Sequence, residues 1–288
     1  MTVGLAPRLE CVACLLRQAN EAVLSATADG AMRETALRQS LGLMAQMDWR
    51  QSPPAMAQKL HRLIREATQN PDPYARVKER LNRRAAEIEP EWRRRFGEAF
   101  LPFEAAVRTA IVGNLLDVGA KTRLGDADVM AAFEKALTAP LVGSVGELES
   151  AVDGARDILY LADNAGEIVF DRWLLSLLPL GRVTVAVRGG PVLNDATLED
   201  ARWIGLPDFC DVIANGSDAP GTILGDCSPE FRERFREADL VIAKGQGNFE
   251  SLAGCGRDVF FLFKVKCDVV GESLGCPRGS LVVHREMK

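Results

Sequence analysis

The sequence predicts an α/β protein: a three-layer α/β/α domain with a largely parallel, Rossmann-like sheet, preceded by a helical N-terminal region. Three observations carry this reading. From about residue 156, strand-length apolar runs alternate with stretches that are mostly long enough for a crossover helix. Before about residue 150 the chain is rich in Ala, Leu, Arg and Glu, with apolar residues at helical spacing and few strand signals. The residues just after the apolar runs are carboxylates, amides, glycines and lysines, and that edge is where open α/β sheets bind ligands. The expected division is a helical region over 1–150 and an α/β domain over 151–288.

The helices come first. Ser52-Pro53-Pro54 opens one, with Ser52 as a cap and proline in the first turn, where a missing N–H costs nothing. Asn70-Pro71-Asp72-Pro73 ends it and starts another, which carries Trp92, Phe96 and Phe100. A further helix runs from about Pro102 to Asp117 and includes Asn114. The run Arg93-Arg94-Arg95 reads as a solvated helix face rather than a nucleic-acid patch.

The strands follow: Ile158–Leu161, Val183–Val187, Val212–Ala214, Leu240–Ala243, Val259–Phe263 and Leu281–Val283. After the first comes Asp163-Asn164-Ala165-Gly166-Glu167, and after the second Arg188-Gly189-Gly190-Pro191, then Asn194-Asp195. Asn215-Gly216-Ser217-Asp218 follows the third. The fourth leads into Lys244-Gly245-Gln246-Gly247-Asn248, and the fifth into Lys264, Lys266, Cys267 and Asp268.

Composition narrows the chemistry. With only two histidines, His61 and His284, a three-histidine zinc site is impossible, so any metal is held mostly by oxygen or sulfur. Seven cysteines, an odd number, fit a reducing compartment better than a disulfide framework, and a cytoplasmic location is expected. No apolar run approaches membrane-spanning length, and the opening MTVGLAPRLECVAC lacks a basic stretch followed by an apolar core, so neither a span nor a signal peptide is expected. A net charge of −5 argues against nonspecific nucleic-acid binding. The sequence does not state the oligomeric state.

Asp and Asn oxygens from neighbouring strand ends suit a hard divalent cation such as Mg²⁺ or Mn²⁺. Gly245 and Gly247 let backbone N–H groups approach an anion, and Lys244 would neutralise a phosphate as a point charge. A cation and a lysine around a phosphate make a phosphoryl-transfer arrangement. Each piece taken alone has a plainer explanation. Asp163-Asn164 and Asn194-Asp195 fit helix caps or turns, and Gly245 and Gly247 fit turn glycines. Their recurrence along one predicted edge is what favours a site. Competing motifs fail: Gly245-Gln246-Gly247-Asn248-Phe249-Glu250 has Glu where a dinucleotide fingerprint needs glycine, and no Walker A loop occurs.

At these positions the chain resembles the damage-control phosphatase family, long called domain of unknown function 89. The matching stretches are LADNAGEIVFD (161–171), GGPVLNDAT (189–197), NGSDAPGT (215–222), DLVIAKGQGNFESL (239–252) and KCDVV (266–270), with AIVGNLLDVG (110–119) in the helical half. Cys11-Val12-Ala13-Cys14 followed by Arg17-Gln18 resembles the opening of the cysteine-bearing (CxxC) subfamily. The resemblance implies a helical region packed on a three-layer α/β/α domain and a divalent metal, typically Mn²⁺, Co²⁺, Ni²⁺ or Mg²⁺. It implies metal binding by Asp163, Asn164 and Asp195, and phosphate contact along Lys244–Asn248. Of an Arg-Thr-x-Lys motif in another subfamily only Lys266 carries over. Some members have been described as carboxyl methyltransferases.

The resulting expectation is hydrolysis of phosphorylated small metabolites. Asp163, Asn164 and Asp195 hold the cation, and Lys244, Gly245, Gly247 and Asn248 bind phosphate. Glu167 and Lys266 serve positioning or proton transfer. Direct water attack and an aspartyl phosphate both remain open. The alternatives are an S-adenosylmethionine-dependent carboxyl methyltransferase and a non-catalytic metabolite- or metal-binding protein. Cys11 and Cys14, three apart, share a helix face and read either as a metal or redox pair or as packing residues.

Overall fold

The computed structural model describes residues 4–96, 102–113 and 126–287. Three helices open the chain: α1 (Leu9–Ala26), α2 (Gly30–Ala45) and α3 (Pro53–Thr68). They meet through Leu15, Ala19, Ala22 and Val23 of α1, Ala36 of α2, and Met56, Ala57, Leu60 and Ile64 of α3. Asp29 caps α2 by accepting from the Met32 N–H at 2.9 Å. Ser52 sits at the N-cap of α3 as expected, but its hydroxyl makes no cap bond. Pro54 has no N–H to offer at the second helical position, one of the two that a cap can reach. The next two helices are α4 (Ala75–Phe96) and α5 (Pro102–Val112), and both begin where the prolines predict. Phe100, Asn114 and Asp117 lie outside the described residues. Trp92 is fully buried, donating its indole N–H to Thr109 at 3.1 Å.

α6 (Asp126–Leu137), β1 (Leu141–Gly143) and α7 (Val145–Gly154) lead into the sheet. Then come β2 (Ile158–Leu161), α8 (Glu167–Ser176), β3 (Val183–Val187), α9 (Leu198–Trp203) and β4 (Asp211–Ala214). α10 (Pro229–Glu237), β5 (Leu240–Lys244), α11 (Gln246–Leu252), β6 (Val259–Lys264), α12 (Asp268–Leu274) and β7 (Leu281–Glu286) complete it. All six predicted runs are strands. The three-residue β1 is too short to stand out in the sequence, and it pairs with β7, so the sheet draws on residues before 150.

The strand order is β1-β7-β6-β5-β2-β3-β4, parallel except for the antiparallel pair β6/β7. Successive strand side chains point to opposite faces. Ile158, Tyr160, Val183, Val185, Ile242 and Leu262 therefore join a core with α5, α6 and α8, while Leu159, Leu161, Val241, Phe261 and Phe263 join another with α10 and α11. Both faces are covered, which is why these strands read as unbroken apolar runs. The chain steps outward from β2 to β3 and β4, then returns to β5 on the other side of β2. The carboxyl ends of β2 and β5 thus flank the topological switch point, where such sheets bind ligands. Asp163 follows β2, and Lys244 ends β5.

Candidate functional site

Two backbone hydrogen bonds stitch the loops after β2 and β3 together: Ala165 N–H donates to Asn194 O and Ala196 N–H to Asp163 O, each at 2.8 Å. The isolated bridge Asn164–Asp195 lies between them. Asp163, Asn164 and Asp195 are thereby brought side by side, all buried. Gly166 opens α8 with φ +77, and its N–H donates to the Asn82 side chain of α4 at 2.6 Å.

The Asn164 amide nitrogen donates to Asp163 Oδ2 at 2.6 Å and to Glu167 Oε2 at 2.9 Å. With its nitrogen spent on carboxylates, Asn164 is left with a carbonyl oxygen to offer a cation. Glu167 is held in turn by Lys244, whose Nζ donates to Glu167 Oε1 at 2.7 Å, Asp171 Oδ1 at 2.6 Å and the Ala110 carbonyl at 2.8 Å. All three ammonium protons are therefore engaged, and Lys244 is completely buried. The structure does not place it as an open cation at the strand end, as the sequence suggested; its charge acts on the carboxylates behind the site.

Arg188, at the end of β3, donates through Nε to Asp195 Oδ2 at 2.6 Å and through Nη2 to Asp163 Oδ1 at 3.4 Å. Its Nη1 reaches Asn248 Oδ1 at 3.1 Å. Asn248 also accepts from the Thr222 hydroxyl at 2.8 Å and donates to Lys244 O at 2.7 Å. Asn248 is thus a strut between strand ends, with its polar atoms committed within the protein. Gly245, at φ +82, has no room for a side chain: a Cβ there would lie 2.0 Å from Asp163 Oδ2. A Cβ on Gly247 would lie 2.3 Å from the Pro220 carbonyl. Lys266 is exposed at the rim, where its charge bears on the Asp163 and Asp195 carboxylates.

The buried charges of this cluster do not balance. Asp163, Glu167, Asp171 and Asp195 are buried carboxylates, while Arg188 and Lys244 are the buried cations among them. With all four ionised, four charges against two leave an excess of two negatives, which one divalent cation would neutralise. Burial, then Asp195 and Glu167, pushes the Asp163 carboxyl up to about 7. Burial also raises Asp171 to about 6 against the pull of Lys244, and raises Asp195 against that of Arg188. Burial opposes the Lys244 charge, but Asp171 and Glu167 outweigh it and hold its pKa above the usual lysine value. Among the described residues no three His, Cys, Asp or Glu side chains converge as a ready coordination sphere. Two carboxylates and an amide oxygen are nevertheless a fitting donor set for a hard cation.

Arg188, Asp171, Thr222 and Asn82 were not singled out from sequence. Arg188 stood first after the second apolar run, and Asp171 lies one helical turn beyond Glu167, so both had a signal. Asn82 had none, because it comes from α4 through the tertiary fold. α3 roofs the same edge: Gln58, Arg62 and Arg65 bond Asp218, Arg62 and Gln58 also bond Asp226, and Arg65 donates to Pro191 O at 2.8 Å. Cys11 is half-buried and Cys14 exposed, both as free thiols, and burial raises the Cys11 pKa. Arg94 and Arg95 are exposed and paired with Glu91 and Glu134, as a solvated face requires.

Fold and site together define an α/β protein with a buried acidic centre at its topological switch point. The model of the damage-control phosphatase ARMT1-like domain matches residues 8–282, and the chain belongs to that family. It is 35% identical to a damage-control phosphatase of Pyrococcus horikoshii, covering 96% of each chain. It is 32% identical to a damage-control phosphatase of Archaeoglobus fulgidus, covering 94% of this chain and 96% of the relative. An uncharacterized protein of Methanocaldococcus jannaschii is also 32% identical, over 95% of this chain and 93% of its own. The crystal structure of a DUF89 family protein from Pyrococcus horikoshii superposes with a TM-score of 0.88 at 33% identity, covering 98% of this chain and 99% of that one. No helix among the described residues is long and apolar enough to cross a membrane.

Proposed function

We propose that this chain is a divalent-metal-dependent phosphatase that releases phosphate from phosphorylated small metabolites. The observation that carries this is the twofold excess of buried carboxylates over buried cations at the switch point. The relatives named damage-control phosphatases support it. Asp163, Asn164 and Asp195 would hold the cation, with Mn²⁺, Co²⁺, Ni²⁺ or Mg²⁺ suited to such oxygen donors. When bound, it supplies Lewis-acid neutralisation of phosphate charge.

The protein's own groups do the rest. Glu167 and Asp163 hold the Asn164 amide nitrogen, which would leave its carbonyl oxygen for the cation, and Lys244, shared with Asp171, keeps Glu167 in place. Gly245 brings backbone close to Asp163, but its own N–H is spent on Leu262 O at 3.0 Å and does not meet phosphate as the sequence suggested. Gly247, in the first turn of α11, brings backbone close to the loop after β4, where first-turn N–H groups can meet phosphate oxygens. Lys266 at the rim offers the exposed cation for a substrate phosphate, a role the sequence reading gave to Lys244. A helical part over 1–150, an α/β part over 151–288 with β1 reaching across that line, and a cytoplasmic setting belong to the same reading.

The test is a screen of phosphorylated metabolites for released phosphate, with each metal added to chelator-treated protein. Phosphate release with metal and none without is the expected result. Full activity in verified metal-free protein, or no turnover with any metal, overturns the proposal. Saturable binding of S-adenosylmethionine in place of turnover would instead favour the methyltransferase alternative.

A further inference from the structure

Arg188 is 2% exposed, and its guanidinium touches side chains from four separate segments. These are Asp163 after β2, Asp195 after β3, Thr222 after β4 and Asn248 on α11. Its own N–H is fixed to Ala196 O at 2.9 Å. Charge balance alone would not need this arrangement, since a lysine also carries one positive charge. A planar fork that binds one oxygen of Asp195 through Nε and is clamped through Nη1 does something a point charge cannot. It sets the rotation of the Asp195 carboxylate and leaves the other oxygen for a ligand. The clamp is itself held, because Asn248 is pinned by Thr222 and by the Lys244 carbonyl.

We propose that Arg188 is a positioning residue of the cation site, orienting Asp195 through Nε while Asn248 and Thr222 hold the guanidinium plane. This rests on the metal reading above. Outer partners of metal ligands commonly change metal affinity by about 10- to 100-fold when lost. A guanidinium held between two ligand carboxylates could instead compete with the cation, and the two roles predict opposite signs.

The experiment titrates Mn²⁺ alone into chelator-treated protein by calorimetry, for the wild type, Arg188→Lys and Thr222→Val, with circular dichroism to confirm folding. Arg188→Lys keeps the charge but loses the fork, and is expected to bind Mn²⁺ about 10- to 100-fold more weakly. Thr222→Val keeps arginine but removes the hydroxyl that donates to Asn248 and accepts from Arg188 Nη1, and is expected to lose about two- to tenfold. A folded Arg188→Lys protein that binds Mn²⁺ as tightly as the wild type, or more tightly, overturns the proposal. Should Arg188→Lys fail to fold, an unchanged affinity in Thr222→Val overturns it. A wild type that binds no divalent cation defeats the metal reading itself, and this proposal with it. Wild-type binding with indifferent variants defeats this proposal alone.

Discussion

Lys244 and Glu167 form a buried ion pair, Nζ to Oε1 at 2.7 Å, in which the lysine is completely excluded from water. Glu167 is also the group that orients the Asn164 amide. The lysine's charge therefore reaches the candidate ligand through one intervening carboxylate.

Replacing Lys244 with Met leaves Glu167 and Asp171 as uncompensated buried carboxylates. Breaking a buried pair in this way costs about 3–5 kcal/mol. The expected result in denaturant melts is a loss of that size, partly recovered when Glu167→Gln and Asp171→Asn are added. Phosphate turnover should also fall strongly. A Lys244→Met protein with wild-type stability would show that the ammonium is not needed to balance these carboxylates.

Asp163→Asn should separate metal binding from folding. It removes one of four crowded buried carboxylates, so the chelated variant should melt no lower than chelated wild type. A cation that binds only the folded state stabilises it by about 2.7 kcal/mol at a hundred times its Kd. Wild type should show that gain with Mn²⁺, and Asp163→Asn little or none. An equal metal-induced shift in both proteins would remove Asp163 from the ligand set.

His61 predicts the acid side of the stability profile. It is buried on α3, its Nε2 has no hydrogen-bond partner among the described residues, and burial with the neighbouring Arg65 charge lowers its pKa to about 4. The folded state thus binds its proton less readily than the unfolded chain, whose histidine titrates at about 6.5. His61's contribution is complete above about pH 6.5 and is lost as pH falls through about 4. It amounts to about 3 kcal/mol. Denaturant midpoints between pH 7 and 4 should fall less steeply in His61→Gln than in wild type. Neither histidine touches the acidic centre, so the His61→Gln, His284→Gln double variant should keep most of its activity; a loss above about a hundredfold in the folded protein would mean the site is misassigned.

The sheet was legible because both of its faces are covered, so each strand stands out as an apolar run between polar ends. The placement of Asp163, Asn164 and Asp195 at one sheet edge was legible because the carboxyl-edge rule needs no tertiary detail. The direction of the Lys244 side chain was not legible. Its acceptors are Ala110, 134 residues earlier, and Glu167 and Asp171 on α8, and no local pattern joins these to β5. Asn248 was misjudged for the same reason: an amide in a glycine-rich turn looks free until its partners on three other segments are seen.

Gly245 offers the sharpest steric test of the site. It follows β5 directly, at φ +82 and ψ 153, a backbone conformation that side chains resist. An alanine Cβ would lie 2.0 Å from Asp163 Oδ2 and 2.2 Å from its Cγ, so the carboxylate must move by an ångström or more. Asp163 cannot move freely, because Asn164 donates to that same oxygen and Arg188 to the other. Gly245→Ala should therefore cost about 1–3 kcal/mol in backbone strain and displace the Asp163 carboxylate at the switch point. Misplacement by about 1 Å is enough to lower turnover by about a hundredfold. Gly254→Ala is the control: it also has positive φ, at +76, but nothing lies within 4 Å of its added Cβ. It should show the strain without the loss of turnover. If both variants lose activity equally relative to their stability, backbone strain and not the Asp163 contact explains the effect, and the close approach of Gly245 to Asp163 has no functional weight.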